Sequence, residues 1–206
     1  MPKRVDHEVR RRQIGEALLR IASARGLQSA TMREVAAEAG VSLRLVQYYF
    51  HTKEELLLTA LAYLGERLSA RVENRIRAHG PVSPRSVVYG TLTAILPIDA
   101  ESLELTRAYT GYYTLALTDS DLASRHGATY PDKVERLIAT QLRTAQEAGQ
   151  IEPTIDPQAT AAGLLALTNG LGSSVLGGQR DGQAALAVLT YHLDRLFGHE
   201  ATKSAP

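Results

Sequence analysis

Residues 40–53 read GVSLRLVQYYFHTK. Gly40 can end a helix in the left-handed conformation, and Ser42 can cap the first amides of the helix that follows. That second helix carries Arg44 and Gln47, whose side chains suit contacts with phosphates and base edges. A helix end, a very short connector and a polar second helix together predict a helix-turn-helix.

The preceding helix supports this interpretation. Thr31 and Glu34 make a T-x-x-E capping box at its start, and Val35, Ala36 and Ala39 give it one small apolar face. Small side chains let two helices approach closely, which a steep crossing within a few residues requires. The sequence on both sides of Gly40 therefore points to the same motif.

A family resemblance rests on this region. The run TMREVAAEAGVS at residues 31–42, followed by YYF at 48–50 and KEEL at 53–56, resembles the DNA-binding domain of the TetR family of one-component repressors. The resemblance covers about residues 8–68. The second residue of the recognition helix is often Gly in the family and is Arg44 here, so the operator sequence is not implied by the resemblance.

The charge of the chain is unevenly distributed. Residues 1–52 contain nine Lys and Arg against five Asp and Glu, a net charge of +4, whereas the remainder carries −3. A basic head on a mildly acidic body suits contact with a polyanion at one end only. The chain has no cysteine, which excludes disulfides and thiolate metal sites and agrees with a reducing cytoplasm.

Apolar residues recur at spacings of three and four through most of the chain, and no segment alternates convincingly with a period of two. An all-α fold of about nine helices is predicted, with a DNA-binding head at 1–52, a helical effector-binding and dimerisation domain at 53–198, and a frayed tail at 199–206. Outside the helix-turn-helix, helices are expected at 6–25, 53–78, 85–96, 100–117, 131–148, 158–176 and 183–197, with irregular structure at 119–130. The helix from residue 53 would join head and body, so a ligand that shifts its far half would also move the head.

The resemblance implies how DNA is contacted. Two recognition helices of a dimer would enter successive major grooves of a pseudo-palindromic operator, about 34–36 Å apart or a multiple of a turn. Base contacts are expected from Leu43, Arg44 and Gln47, with Arg33 reaching the groove from the preceding helix. Phosphate contacts are expected from Thr31, Ser42, Tyr48, Tyr49 and Lys53. A further phosphate-contacting arm is expected at the N-terminus, formed by Lys3, Arg4, Arg10, Arg11 and Arg12.

Leucines at helical spacing mark the last two expected helices. One stripe consists of Leu164, Leu167, Leu171 and Val175, and the other of Leu186, Leu189, Leu193 and Leu196. Periodicity alone leaves two interpretations open: a four-helix dimer interface, or completion of the core of the monomer. The resemblance favours the dimer, because family members usually dimerise through their last two helices.

Helix 100–117 interleaves tyrosines and charged residues with apolar ones, and a tyrosine combines apolar area with a polar tip. Asn169 stands in an apolar helix, where a buried amide would need partners. An organic effector is therefore expected to contact Glu104, Tyr109, Tyr112, Tyr113 and Asn169. Alternatively, the tyrosines are ordinary core residues, and Asn169 makes a local hydrogen bond at a kink near Gly170.

The remaining motifs do not indicate catalysis. There is no G-x-S-x-G elbow, the histidines lack the spacing of metal ligands, and GLGSSV at 170–175 follows no strand and lacks the last glycine of a dinucleotide-binding loop. No cofactor or metal is therefore expected. The uncharged segment 159–178 has the length of a membrane span, but it is too polar and lacks aromatic flanks.

Together with these patterns, the resemblance to the TetR family implies a cytoplasmic, homodimeric, DNA-binding repressor that a small organic effector releases from its operator. Three alternatives remain: an activator of the same fold, a helical protein–protein adaptor that uses Tyr48 and Tyr49 as hot spots, and a small all-α enzyme.

Overall fold

The structure is a computed structural model that describes residues 2–27, 30–78, 80–117 and 129–198. Within these ranges the chain forms nine α-helices and no strand. They are α1 (Pro2–Arg25), α2 (Met32–Ala39), α3 (Leu43–Tyr49), α4 (Lys53–Ala78), α5 (Pro84–Ile95), α6 (Ala100–Ala116), α7 (Thr129–Glu147), α8 (Pro157–Leu176) and α9 (Gly182–Leu196).

The all-α prediction is confirmed, and the expected helices begin and end within a few residues of the observed ones. The irregular segment expected at 119–130 lies outside the described residues except at 129–130, which begin α7. The tail expected at 199–206 also lies outside them.

The chain folds into two compact units. Unit 1 takes in the described residues of 1–69 and 104–128, and unit 2 takes in those of 70–103 and 129–206. Helices α4 and α6 each contribute residues to both units, so neither unit is one continuous stretch of chain. The compact units divide after Ser69 and after Leu103 and not after residue 52. The functional boundary expected after residue 52 stays a prediction.

Unit 1 is built on the first three helices, with α1 packed against α2 and α2 against α3. Its core contains the fully buried Ile14, Val46 and Phe50, and one face of α6 completes it with Leu105, Ala108, Tyr112 and Ala116. Helices α1 and α4 approach closely at Gly15, where an added Cβ would lie 2.7 Å from Cδ2 of Tyr63. A side chain at position 15 would therefore displace this tyrosine.

Unit 2 is built on α5, α7, α8 and α9, which pack against one another around a second apolar core. The side chains with no solvent exposure in this core include Leu92, Ile138, Leu142, Leu189 and Leu193. Helix α8 contributes the fully buried Ala161, together with Leu164, Leu165 and Leu171, which are each less than 10% exposed.

A buried arginine ties three elements of unit 2 together. Arg71 is only 7% exposed, and it donates hydrogen bonds to the carbonyl of Ala94 at 3.0 Å and to the carboxylates of Glu101 and Asp99. Burial would raise the pKa of Asp99, but hydrogen bonds from the Ser102 amide and from Arg71 more than offset this and hold the pKa at about 2. The far half of α4, the end of α5 and the start of α6 are thereby linked within unit 2.

Candidate functional site

The turn between α2 and α3 has the geometry that its sequence predicts. Thr31 Oγ1 accepts from the amide of Glu34 at 3.2 Å, and the Glu34 carboxylate accepts from the amide of Thr31 at 2.9 Å. That second hydrogen bond holds the pKa of Glu34 below its usual value. Gly40 is left-handed, with φ 66°, and Ser42 Oγ accepts from the amide of Leu45 at 3.2 Å. The helix-turn-helix is therefore confirmed.

Helix α3 has one buried face and one exposed face. Val46 is fully buried, whereas Arg44, Gln47 and Tyr48 are exposed, with Tyr48 at 68%. Since successive residues turn by about 100° around a helix, Arg44 and Tyr48 lie nearly opposite Val46, and Gln47 lies beside them. We call these three exposed residues the recognition face. Leu43, expected to contact bases, is half-buried and packs against the core of unit 1.

Tyr49 links α3 to its neighbours rather than standing free. Its ring contacts His7 of α1 edge-on, with centroids 4.6 Å apart, and contacts Tyr48 with centroids 5.3 Å apart. Its carbonyl accepts a hydrogen bond from Arg11 at 2.7 Å. The orientation of the last turn of α3 is therefore set partly by α1.

Three of the expected DNA-contacting cations remain available. Arg33, Arg44 and Lys53 are exposed and form no ion pair with any residue that the structure describes. Of the residues expected to contact phosphate through a hydroxyl, Thr31 and Ser42 already use theirs to cap α2 and α3. Two of these three cations lie in the helix-turn-helix, and the third is the first residue of α4.

The expected N-terminal phosphate arm needs correction at two positions. The guanidinium of Arg11 lies 3.3 Å from the Glu55 carboxylate and 4.5 Å from the centroid of the Phe50 ring. Arg12 pairs with Glu66 at 2.6 Å. These arginines hold α1 against α4 and the end of α3, so they have a structural role that the sequence did not indicate, and a phosphate contact by either stays a prediction. Of the rest of the arm, Arg10 is exposed, and the side chains of Lys3 and Arg4 lie outside the described residues.

The role of Arg11 was missed because members of a basic run look alike in sequence. A usable signal lay elsewhere, in the aromatic Phe50 and the acidic Glu55 that follow the recognition helix. The amide of His51 lowers the pKa of Glu55, with Arg11 contributing in the same direction, so this carboxylate remains charged as the partner of Arg11.

Half of the residues expected at the dimer interface lie in the core of unit 2. Leu164, Leu171, Leu189 and Leu193 are each less than 10% exposed and belong to the core of unit 2. The other four members, Leu167, Val175, Leu186 and Leu196, are partly buried and pack against the same core. Neighbouring helices of the same chain cover the four buried leucines, which complete the core of the monomer and correct that part of the expected interface. An interface role for the four partly buried residues stays a prediction.

A different face of the last two helices is exposed. On α8 it contains Ala159, Gly163, Ala166, Gly170 and Ser173, and on α9 it contains Ala184, Ala187 and Tyr191. We call these residues the terminal face.

Among the residues that the structure describes, α8 is also the one helix with the length and composition to cross a membrane, a criterion that core helices of other proteins also meet.

The expected effector residues lie in two places. On α6, Tyr112 is 6% exposed, and its hydroxyl has no hydrogen-bond partner among the described residues; burial raises its pKa. The rings of Tyr109 and Tyr113 stack with centroids 6.5 Å apart, and Glu104 accepts from Arg67 at 2.9 Å. These residues belong to unit 1.

Asn169 belongs to unit 2 and is exposed beside Gly170. The argument that a buried amide at this position needs a ligand is therefore wrong. In α8, the buried side is occupied by residues such as Thr168, and Asn169 points away from it.

Comparison with known proteins identifies both parts of the chain. Residues 14–60 match the family described as bacterial regulatory proteins, tetR family, and residues 84–198 match the BetI-type transcriptional repressor, C-terminal domain. The HTH-type transcriptional regulator PksA of Bacillus subtilis is 30% identical over 171 residues, which cover 83% of this chain and 80% of that protein.

Solved structures of transcriptional regulators have the same fold as this chain. A TetR-family transcriptional regulator from Rhodococcus sp. superposes with a TM-score of 0.80 at 28% identity, covering 91% of this chain and 98% of that one. A transcriptional regulator from Saccharomonospora viridis, solved in complex with choline, gives a TM-score of 0.77 at 25% identity and covers 92% of this chain and 96% of that one. The chain therefore belongs to the TetR family and is a DNA-binding transcriptional regulator with a BetI-type C-terminal domain.

Proposed function

We propose that the protein is a homodimeric repressor that binds a pseudo-palindromic operator and leaves it when a small organic effector binds. The recognition face carries the proposal: Arg44, Gln47 and Tyr48 are exposed together, opposite the buried Val46. A helix held by a tight turn, with polar side chains projecting away from the core, suits the major groove of duplex DNA.

DNA contacts divide into two sets. Bases are contacted by Arg44 and Gln47, with secondary contributions from Leu43 and Arg33. Phosphates are contacted by Thr31, Ser42, Tyr48, Tyr49 and Lys53. The support is strongest for the exposed cations, and it is weakest for Thr31, whose hydroxyl accepts from the Glu34 amide and donates to the Glu34 carboxylate at 2.9 Å.

The terminal face supports the proposed dimer. Apart from Tyr191 its residues are small, so the backbone of α8 can approach the same helix of a second copy, and a twofold axis would bring identical faces together. Asn169 borders this face and is placed to hydrogen bond across it. Two subunits joined in this way supply the two recognition helices that a pseudo-palindromic operator requires.

The unpartnered hydroxyl of Tyr112 supports an effector site on α6. A buried polar group without a partner is costly, and an effector that accepts or donates one hydrogen bond there would relieve this cost. Residues of α6 also complete the core that holds α1, α2 and α3. An effector that prefers a displaced α6 would therefore shift the population away from the DNA-binding conformation.

The first experiment selects bound duplexes from a randomised DNA pool and then titrates salt on the selected sequence and a scrambled control. An inverted repeat preferred by ~10³-fold or more, with a steep salt dependence, is the expected result. If no motif is recovered, the basic head is only an electrostatic surface, and the adaptor interpretation takes precedence.

Effector release is tested on the selected operator. Choline is the first compound to add, because the Saccharomonospora viridis regulator was solved with it and aromatic rings such as Tyr109 and Tyr113 attract organic cations. A compound that dissociates wild-type protein but not the Tyr112→Phe variant supports the site on α6. Equal dissociation of both proteins would place the effector elsewhere.

A further inference from the structure

Helix α3 is short enough for its geometry to restrict which side chains reach a base pair. It contains seven residues, and the fully buried Val46 fixes its inner side. At about 100° per residue, Arg44 lies about 160° from Val46 and Gln47 about 100° from it. Both therefore project outward, and both are exposed.

Arg44 differs from most arginines of unit 1 in having no acidic partner. Arg11 pairs with Glu55, Arg12 with Glu66, Arg20 with Glu38, and Arg25 with Glu34. These pairs occupy acids of α2 and α4, and α3 itself contains no acidic residue. No ion pair within the described part of the chain draws the Arg44 guanidinium back onto the protein.

The chemistry of the two side chains specifies what they can recognise. A guanidinium presents a planar fork of donors that fits the O6 and N7 acceptors of guanine, and a glutamine amide can pair with N6 and N7 of adenine. Arg44 and Gln47 are three residues apart, a rise of about 4.5 Å along the helix. Residues three apart are neighbours on a helix surface, with Cβ atoms about 5–6 Å apart. Because stacked base pairs are only about 3.4 Å apart, two long side chains that start this close can contact neighbouring pairs.

We propose that Arg44 reads a guanine and Gln47 an adjacent adenine, so that each half-site contains a G·C pair next to an A·T pair. The inference rests on the proposed DNA-binding function and adds the base identities to it. Arg44 is then the residue that determines specificity at the G·C pair, rather than a phosphate anchor.

The test measures binding of the full-length protein to the selected operator and to operators changed at one base pair of one half-site. For wild type, replacing the guanine should weaken binding by about 5-fold to 150-fold. For Arg44→Ala, the same base change should cost less than about 2-fold, while changes at the other positions keep their full cost. Arg44→Lys keeps the charge but lacks the fork, so it should also lose the guanine preference.

Lys53→Ala is the control for a phosphate contact, because Lys53 is an exposed cation outside α3. It should weaken binding to every sequence by the same factor and lower the salt slope by about one per subunit. If Arg44→Ala behaves like Lys53→Ala, and Arg44→Lys restores binding, Arg44 contacts a phosphate and the proposal is overturned.

The selection separates this inference from the function on which it rests. An inverted repeat whose half-site contains no base pair that depends on Arg44 would reject the assignment of guanine and leave the DNA-binding repressor in place. Failure to select any repeat would reject the proposed function itself. Thermal unfolding of each variant should match wild type, since both side chains are exposed, and this excludes misfolding as the cause of altered binding.

Discussion

Both units expose cations that form no ion pair with a described residue, such as Arg44 in unit 1 and Lys133 in unit 2, but their exposed helix faces differ. In unit 1, Arg33, Arg44 and Lys53 are exposed without acidic partners in or next to the helix-turn-helix, and the Tyr112 hydroxyl is buried without a hydrogen bond from any described residue. In unit 2, the buried Arg71 is bound by two carboxylates and a carbonyl, and the hydroxyl of the buried Thr168 donates to the carbonyl of Leu164. Its exposed terminal face is instead small and largely apolar.

The exposed side chains of each unit indicate which kind of partner it would bind. Unpaired guanidinium and ammonium groups gain most from a polyanion, whose counterions they displace. A small apolar face gains most from another apolar surface that approaches closely. We therefore propose DNA as the partner of unit 1 and a second copy of the chain as the partner of unit 2, and five substitutions test this proposal.

The largest effect is expected from Ala166→Arg on the terminal face. Two arginines brought together by a twofold axis would separate the subunits, so sedimentation should show a monomer. Operator affinity should fall by about 10²- to 10⁴-fold, since the second half-site no longer adds to binding. Ala148→Arg is the matched control, because Ala148 is an exposed alanine of unit 2 outside the terminal face. A dimer that survives Ala166→Arg would place the interface elsewhere.

Leu189→Ala tests the inward stripe of α9. Leu189 has no solvent exposure, so removing its side chain leaves a cavity and should lower the free energy of unfolding by about 2–5 kcal/mol. Leu186→Ala, on the same helix but only partly buried, should cost less. Urea unfolding measures both. Equal losses would contradict the assignment of Leu189 to the core of the monomer.

Gln47→Ala tests the recognition face. It should cost about 1–3 kcal/mol on the selected operator and relax the sequence preference there, because the side chain pairs with a base edge. The measurement is a binding isotherm on operator and scrambled duplexes. The control is Gln150→Ala, because Gln150 is an exposed glutamine of unit 2. It should change neither the operator affinity nor the affinity for the scrambled duplex. A loss of the same size on both duplexes would reject base reading by Gln47.

Asp99→Asn tests whether the polar groups of unit 2 are satisfied. The folded-state pKa of Asp99 is about 2, below the ordinary value of 3.8, so its ion pairs stabilise the fold above about pH 4 and are lost as pH falls toward 2. Because the carboxylate is 38% exposed, we expect these ion pairs to contribute only about 1 kcal/mol to the free energy of unfolding. Thermal unfolding between pH 4 and pH 2 should be less pH-dependent in the variant. Identical pH profiles would show that Asp99 contributes no such stability.

The smallest effect is expected from Tyr112→Phe. Its hydroxyl has no partner among the described residues, so removing it should leave stability unchanged or slightly higher. Tyr63→Phe is the matched control in the same unit, since Tyr63 donates to Glu8 at 3.1 Å, and it should lose about 1 kcal/mol. Urea unfolding compares the two. A Tyr112→Phe loss as large as that of Tyr63→Phe would mean that the Tyr112 hydroxyl is satisfied in solution.

The helix-turn-helix could be predicted because its determinants are local. The Thr31 capping box, the left-handed Gly40 and the Ser42 cap each act within a few residues. The exposed side of α3 was also predictable at Arg44 and Gln47, since Val46 is an unambiguous inward residue on a short helix. The half-buried Leu43 shows the limit of that argument, because its contacts come from the core of unit 1.

The pairing of arginines was not predictable. Arg11 and Glu55 are 44 residues apart and meet only because α1 packs near α4. Arg71 and Asp99 are 28 residues apart and meet at a helix start. Sequence spacing indicates which residues share a helix face, but it does not indicate which element covers that face.

By itself, the sequence determined that the chain is helical, where the helices lie, and which helix reads DNA, because caps, glycines and periodicity act through the nearby backbone. Only the tertiary structure decided which side of α8 and α9 faces the core. Both helices are apolar on more than one side, so Leu189 and Ala166 are equally plausible interface residues until neighbouring helices are seen to bury the first and leave the second exposed.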